Sequence, residues 1–132
     1  NQQPFHYTLV DNWVDYDYKM PEGVLERYGS HIDVVTSDEK AFVFSTQKTY
    51  DFIFSDADHY RTNEWFDYVY DKLLEPEGIL IYHDINFFEN CLLNLREIFY
   101  TCQRRGLHYK LFNRNSIPGE RCHRGLLVIF KH

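Results

Sequence analysis

Apolar and polar positions along this chain follow two rhythms, and the change from one to the other marks out its elements. Six segments have the short apolar, β-branched or aromatic character of strands: Phe5 to Val10, Ile32 to Thr36, Tyr50 to Ser55, Gly78 to Tyr82, His108 to Asn113 and Gly125 to Lys131. In three of them, DFIF, GILIY and GLLVIF, the apolar run is nearly continuous. Such a run predicts a strand buried on both faces, in a mostly parallel sheet covered by helices. Between strands the spacing lengthens to three and four. Trp65, Phe66, Val69, Tyr70, Leu73 and Leu74 form one stripe, predicting a helix over Asn63 to Leu74, capped by Thr62 or Asn63 and stopped by Pro76 and Gly78. Cys91, Leu92, Leu95, Ile98, Phe99 and Cys102 form another. It predicts a helix from Phe87 to Arg105, whose cationic last turn (Arg104 and Arg105) precedes Gly106. A shorter helix is expected around Gly23 to Tyr28.

Strand and helix in alternation define the fold class as α/β, in one domain over residues 1–132. The stretch Ser116 to Arg124 has no helical period, so the last two strands are expected to form an antiparallel hairpin closing one edge of the sheet. There is no internal repeat and no linker.

Composition narrows the function classes. The chain has 132 residues, 44% hydrophobic and 18% aromatic, enough for one domain with a core and unlike a disordered chain. Its formal net charge is -6 and no Lys/Arg run exceeds Arg104-Arg105, which argues against a nucleic-acid partner. Cys91, Cys102 and Cys122 are odd in number and lack CxxC spacing, so neither a disulfide framework nor a zinc site is expected. No apolar run approaches a membrane span and no signal peptide opens the chain. The expected location is cytoplasmic, with no membrane partner.

The candidate chemistry lies where strands end. In open α/β sheets, ligands bind beyond the carboxyl ends of the strands. Asp11 follows the first strand, Ser37 and Asp38 the second, Asp56, Asp58 and His59 the third, and His83 and Asp84 the fourth. An Asp there is often only a helix cap or turn residue, and that reading stays open for Asp11 and Asp38. Asp56, Asp58, His83 and Asp84 are harder to explain so, because clustered carboxylates repel one another unless something compensates. Such a cluster suits Mg²⁺ or another hard divalent cation. His59 can instead serve as a general base. The remaining histidines have no partner pattern.

The block from Tyr50 to Asp84, YDFIFSDADHY…LLEPEGILIYHD, resembles class I S-adenosylmethionine-dependent methyltransferases, nearest to the metal-dependent O-methyltransferases of the catechol, caffeoyl-CoA and macrocin kinds. The resemblance implies a Rossmann-like sheet and methyl transfer to a hydroxyl of a small molecule or sugar, assisted by a divalent cation such as magnesium. It implies Asp56, His83 and Asp84 as metal ligands, with His83 where the family usually has an acidic residue. Asp58 falls at a position for cofactor contact or general base, with His59 beside it. TLVDNW resembles the family's second strand, so Asp11 would meet the ribose of S-adenosylmethionine, and Ser37 and Asp38 its adenine. Spacings of 27 residues from Asp11 to Asp38 and 18 from Asp38 to Asp56 suit the assignment. The final pair of strands resembles the family's antiparallel sixth and seventh.

One departure is large. The family's first strand ends in a glycine-rich turn, yet the six glycines here include no G-x-G. The first strand and its loop are therefore absent from these 132 residues, and residues upstream of Asn1, or a partner chain, are expected to supply them. The competing expectation is a non-catalytic methyltransferase-like domain acting as a binding or scaffold subunit. Either reading leaves room for a homo-oligomer.

Overall fold

The computed structural model describes residues 5–12, 23–57, 60–85, 92–112 and 125–132. They fall in two compact units, Asn1–Ser45 and Thr46–His132.

In the first unit, strand β1 (Tyr7–Asp11) is followed by a short helix α1 (Val24–Tyr28), strand β2 (Ile32–Thr36) and helix α2 (Glu39–Ser45). β1 and β2 pair in parallel from Tyr7↔Ile32 to Asp11↔Thr36. Their carboxyl ends therefore lie side by side. The sequence pattern did not reveal α2. Its seven residues, EKAFVFS, are too few to show a helical period and include Phe-Val-Phe, a strand-like triplet.

In the second unit, strand β3 (Tyr50–Ser55) leads to a helical run: a 3₁₀ turn (Thr62–Glu64), helix α3 (Phe66–Tyr68) and a π-helical turn (Val69–Leu73). Strand β4 (Leu74–His83), helix α4 (Leu92–Arg105) and strands β5 (His108–Phe112) and β6 (Leu126–Phe130) follow. The sheet order is β3-β4-β6-β5. β3 and β4 are parallel, while β6 runs antiparallel to both β4 and β5. The last two strands thus form the expected antiparallel pair, with β5 at the edge. Among the described residues, nothing pairs with the second side of β1 or of β3, and the two sheets are separate.

The core lies on one face of the four-stranded sheet. Leu80 and Tyr82 of β4 stand opposite Ile129 and Leu127 of β6, all buried. Phe66 places its ring 6.1 Å from that of Tyr82, and the stripe of Trp65, Phe66, Val69, Tyr70 and Leu73 is buried. Ile98 and Cys102, one helical turn apart on α4, are buried too. The expectation of burial on both faces fails: Phe52 and Phe54 of β3 are 50% and 52% exposed, and Ile79, Ile81 and Val128 are only half-buried. A continuous apolar run marks two-sided burial only where a second layer covers the strand, and at β3 the described residues provide none.

The expected helix stop is also corrected. Pro76 and Gly78 lie inside β4, not beyond a helix. The ladder accommodates them by slipping: Tyr50 pairs with Leu74, and Phe52 next pairs with Ile79. Within this irregularity the missing N–H of Pro76 is tolerated, and Glu77 adopts a left-handed φ of 63°. Gly78 fills the tightest point. A Cβ there would stand 2.7 Å from the Glu75 carbonyl oxygen and 2.9 Å from Leu74 Cδ1. Gly78→Ala is accordingly expected to cost about 1–3 kcal/mol, read as a lowered denaturant midpoint at unchanged slope.

The ends of the helical elements are tied down. The Lys131 ammonium donates to the carbonyls of Tyr70 (2.8 Å) and Leu74 (2.7 Å) where the π-helical turn gives way to β4. Arg105 donates to Asp67 (2.5 Å) and Asp71 (2.6 Å) and lies over the Tyr70 ring, joining α4 to the preceding helical run. Gly106, at φ 63°, closes α4: its N–H reaches the Gln103 carbonyl and that of Leu107 the Cys102 carbonyl. Burial pushes the Cys102 thiol up to about 12, against the opposing pull of Arg105. Because the folded value is raised, this thiol favours the folded state below pH ~9 and progressively less as pH climbs toward its folded value. Native protein at pH 8 is expected to leave Cys102 unalkylated by iodoacetamide, with labelling only after unfolding; peptide mass mapping reads the outcome. Among the described residues, no helix is long and apolar enough to cross a membrane.

Candidate functional site

Parallel pairing of β3 and β4 carries their register to the carboxyl end, where Ser55 faces Tyr82. The next positions, Asp56 and His83, are therefore neighbours, and alternation places them on the same face as Phe54 and Ile81. His83 Nδ1 lies 3.0 Å from Asp56 Oδ1, and the Phe54 ring centroid is 6.2 Å from the His83 ring. Strict alternation would send Asp84 to the opposite face. Instead Asp84 takes φ 60°, a left-handed conformation that Asp tolerates better than most residues. With the backbone turned, its carboxylate comes within 3.3 Å of the same His83 nitrogen.

The environments of the three groups differ. The Asp56 side chain is 43% exposed and that of His83 29%, while the Asp84 side chain is only 5% exposed. One carboxylate is thus held in a dry position and the other opens to solvent, with the imidazole between them. The candidate donor atoms all lie within 4.8 Å of one another. At a ligand distance of roughly 2.1 Å, neighbouring donors around one ion are about 3.0 Å apart in an octahedron and about 3.4 Å in a tetrahedron. The two spacings at His83, 3.0 Å and 3.3 Å, and the donor types fit a divalent cation.

The first unit holds a second group of expected residues. Asp11 ends β1, and its carbonyl accepts from the Ser37 N–H at 3.1 Å, which joins the two strand ends. Asp38 Oδ1 accepts from the Ala41 N–H at 2.9 Å, so this carboxylate caps α2. The cap was the signal by which the sequence could have revealed that helix. At the other, amino end of the same strands, Phe5, Tyr7, Tyr28 and Ile32 line a cavity of about 280 Å³, away from Asp11 and Ser37. Asp58 and His59, expected at the reacting centre, lie outside the described residues. The sequence reading did not anticipate Phe54 beside His83, although its place two residues before Asp56 in a strand puts it on that face.

No protein-family model matches the sequence, and no curated protein matches it. Solved structures do. The mixed α/β fold of this chain, with parallel and antiparallel strand pairs, is similar to those of solved methyltransferase structures. The O-methyltransferase TomG of Streptomyces achromogenes, solved with S-adenosylmethionine, matches 96% of this chain and 62% of its own, at TM-score 0.67 and 11% identity. An O-methyltransferase of Bacillus cereus, solved with S-adenosylhomocysteine, matches 96% of this chain and 74% of its own, at TM-score 0.61 and 15% identity. The N-methyltransferase NodS of Bradyrhizobium japonicum matches 95% of this chain and 72% of its own, at TM-score 0.53 and 17% identity. Against four of the structures it resembles, the chain spans between 50% and 62% of their length.

Proposed function

We propose that this chain is part of an S-adenosylmethionine-dependent O-methyltransferase that acts on a hydroxyl of a small molecule or sugar with the help of a divalent cation. The observation that carries the reading is the convergence of Asp56, His83 and Asp84 at the carboxyl end of β3 and β4, the end at which open α/β sheets bind their ligands. The fold shared with structures that hold S-adenosylmethionine or S-adenosylhomocysteine supports it.

In this reading Asp11 accepts hydrogen bonds from the cofactor ribose, and Ser37 and the Asp38 backbone meet the adenine, since the Asp38 side chain is engaged as a helix cap. Asp56, His83 and Asp84 hold the cation. When bound, the cation lowers the pKa of the acceptor hydroxyl and orients it. Asp58 or His59 takes the hydroxyl proton, the acceptor oxygen forms its bond to the methyl carbon, and the sulfonium–methyl bond breaks to leave neutral S-adenosylhomocysteine. The further contribution of the protein is to align donor and acceptor.

Calorimetric titration of the protein with S-adenosylmethionine, with and without a divalent cation, tests the proposal. Micromolar binding that responds to the cation is expected. No binding, in protein that also carries the expected first strand and its loop, would overturn it in favour of a non-catalytic scaffold.

A further inference from the structure

The geometry points to a cation of the first-row transition series, of the Mn²⁺, Co²⁺ or Zn²⁺ kind, at Asp56, His83 and Asp84, and not to Mg²⁺. This rests on the cation-assisted reading and deepens it by naming the class of ion.

The argument starts from the donors. Two carboxylate oxygens would suit Mg²⁺ or Ca²⁺, which take oxygen ligands almost exclusively. The third donor is an imidazole nitrogen, and it occupies the middle of the cluster. His83 Nδ1 is 3.0 Å from Asp56 Oδ1 and 3.3 Å from Asp84 Oδ1, the edge lengths expected of adjacent donors around one ion. A Mg²⁺ ion placed between the two carboxylates would have this nitrogen in its coordination sphere, where it prefers carboxylate or water. Imidazole with carboxylate suits the borderline divalent metals, whose affinity for mixed nitrogen and oxygen sites rises along the series toward copper.

The surroundings set what else can reach the ion. The Asp84 carboxylate is almost fully buried, and Phe54 lies against the imidazole. On the open side, Asp56 leaves room for water or an acceptor hydroxyl to complete the sphere. One nitrogen and two carboxylate oxygens, with positions left for other ligands, make a donor set suited to binding and activating an oxygen ligand.

Titration with MnCl₂, CoCl₂, ZnCl₂ and MgCl₂, each alone, followed by calorimetry and thermal shift, provides the test. Co²⁺ and Zn²⁺ are expected to bind at least ~100-fold more tightly than Mg²⁺, and His83→Asp to lower Co²⁺ affinity about 10–100-fold while Mg²⁺ affinity holds or rises. Because any such site leans toward later metals, the shift caused by His83→Asp decides the matter. A readout on the unaltered protein stands beside it: Mn²⁺ bound here should show coupling to an imidazole nitrogen in pulsed electron paramagnetic resonance. Equal Mg²⁺ and Co²⁺ affinity, unchanged Co²⁺ affinity in the variant, or no nitrogen coupling would overturn the inference. Cation binding without any binding of S-adenosylmethionine would instead overturn the functional reading and leave the metal assignment in place. Cofactor binding with no cation binding at all would overturn the metal assignment and the cation-assisted step, and leave the reading as an S-adenosylmethionine-dependent methyltransferase in place.

Discussion

Asp84→Asn is expected to weaken cation binding by on the order of 100-fold, and methyl transfer with it, without unfolding the protein. Asparagine keeps the size of the side chain and the tolerance for the left-handed backbone found at φ 60°, so the turn that brings residue 84 back toward His83 should persist. What disappears is the charge. Asp84 is the most buried of the three candidate ligands, and without a cation its carboxylate shares a small space with that of Asp56. Removing it therefore relieves repulsion in the cation-free protein. The melting temperature without added metal should hold or rise, while the stabilisation produced by added Co²⁺ should largely vanish. A variant that melts lower yet keeps its cation affinity would show that Asp84 serves the strand end and not a ligand site.

The largest effect on stability is expected from Leu80→Ala, about 2–5 kcal/mol, read from denaturant unfolding. Leu80 sits in the middle of β4, paired with Ile53 on one side and Ile129 on the other, with no exposed surface. Truncation opens a cavity where two strands and the helical layer meet, and rigid ladders on both sides limit collapse into it. The consequence reaches the candidate site, because β4 continues from Leu80 through Tyr82 to His83 and Asp84. A loss of this size is a large fraction of the total stability of a small domain, typically about 5–15 kcal/mol. Leu80→Ala is thus expected to weaken cation binding indirectly, through partial unfolding, and cooling should restore it. Persistent weakening in fully folded protein would mean that Leu80 also sets the strand register at the site.

Each of the six described strands was visible at least in part in the sequence, as was the antiparallel final pair, because strand identity is written in local apolar runs and in the missing helical period between Ser116 and Arg124. The alternation that placed Asp56 and His83 at strand ends needed only the chain itself. Local pattern failed where two distant segments set the outcome. β4 passes through Pro76 and Gly78 because β3 offers a partner that tolerates a slipped register. Helix α2 exists because the Asp38 carboxylate caps it and Val43 is buried, although its Phe-Val-Phe triplet is strand-like. DFIF looks like an interior strand, yet both of its phenylalanines stand exposed, since burial depends on what covers a face and not on the face alone.

The same division holds at the candidate site. The types of its residues and their positions after successive strands came from sequence. Their convergence on one nitrogen did not, for it depends on parallel pairing of β3 with β4 and on the left-handed turn at Asp84 that cancels strand alternation. Sequence alone determined which residues end the strands, because a strand is a local pattern of side chains. Only the tertiary structure decided that three of them meet within 4.8 Å, because that distance is set by the register between segments 27 residues apart in the chain.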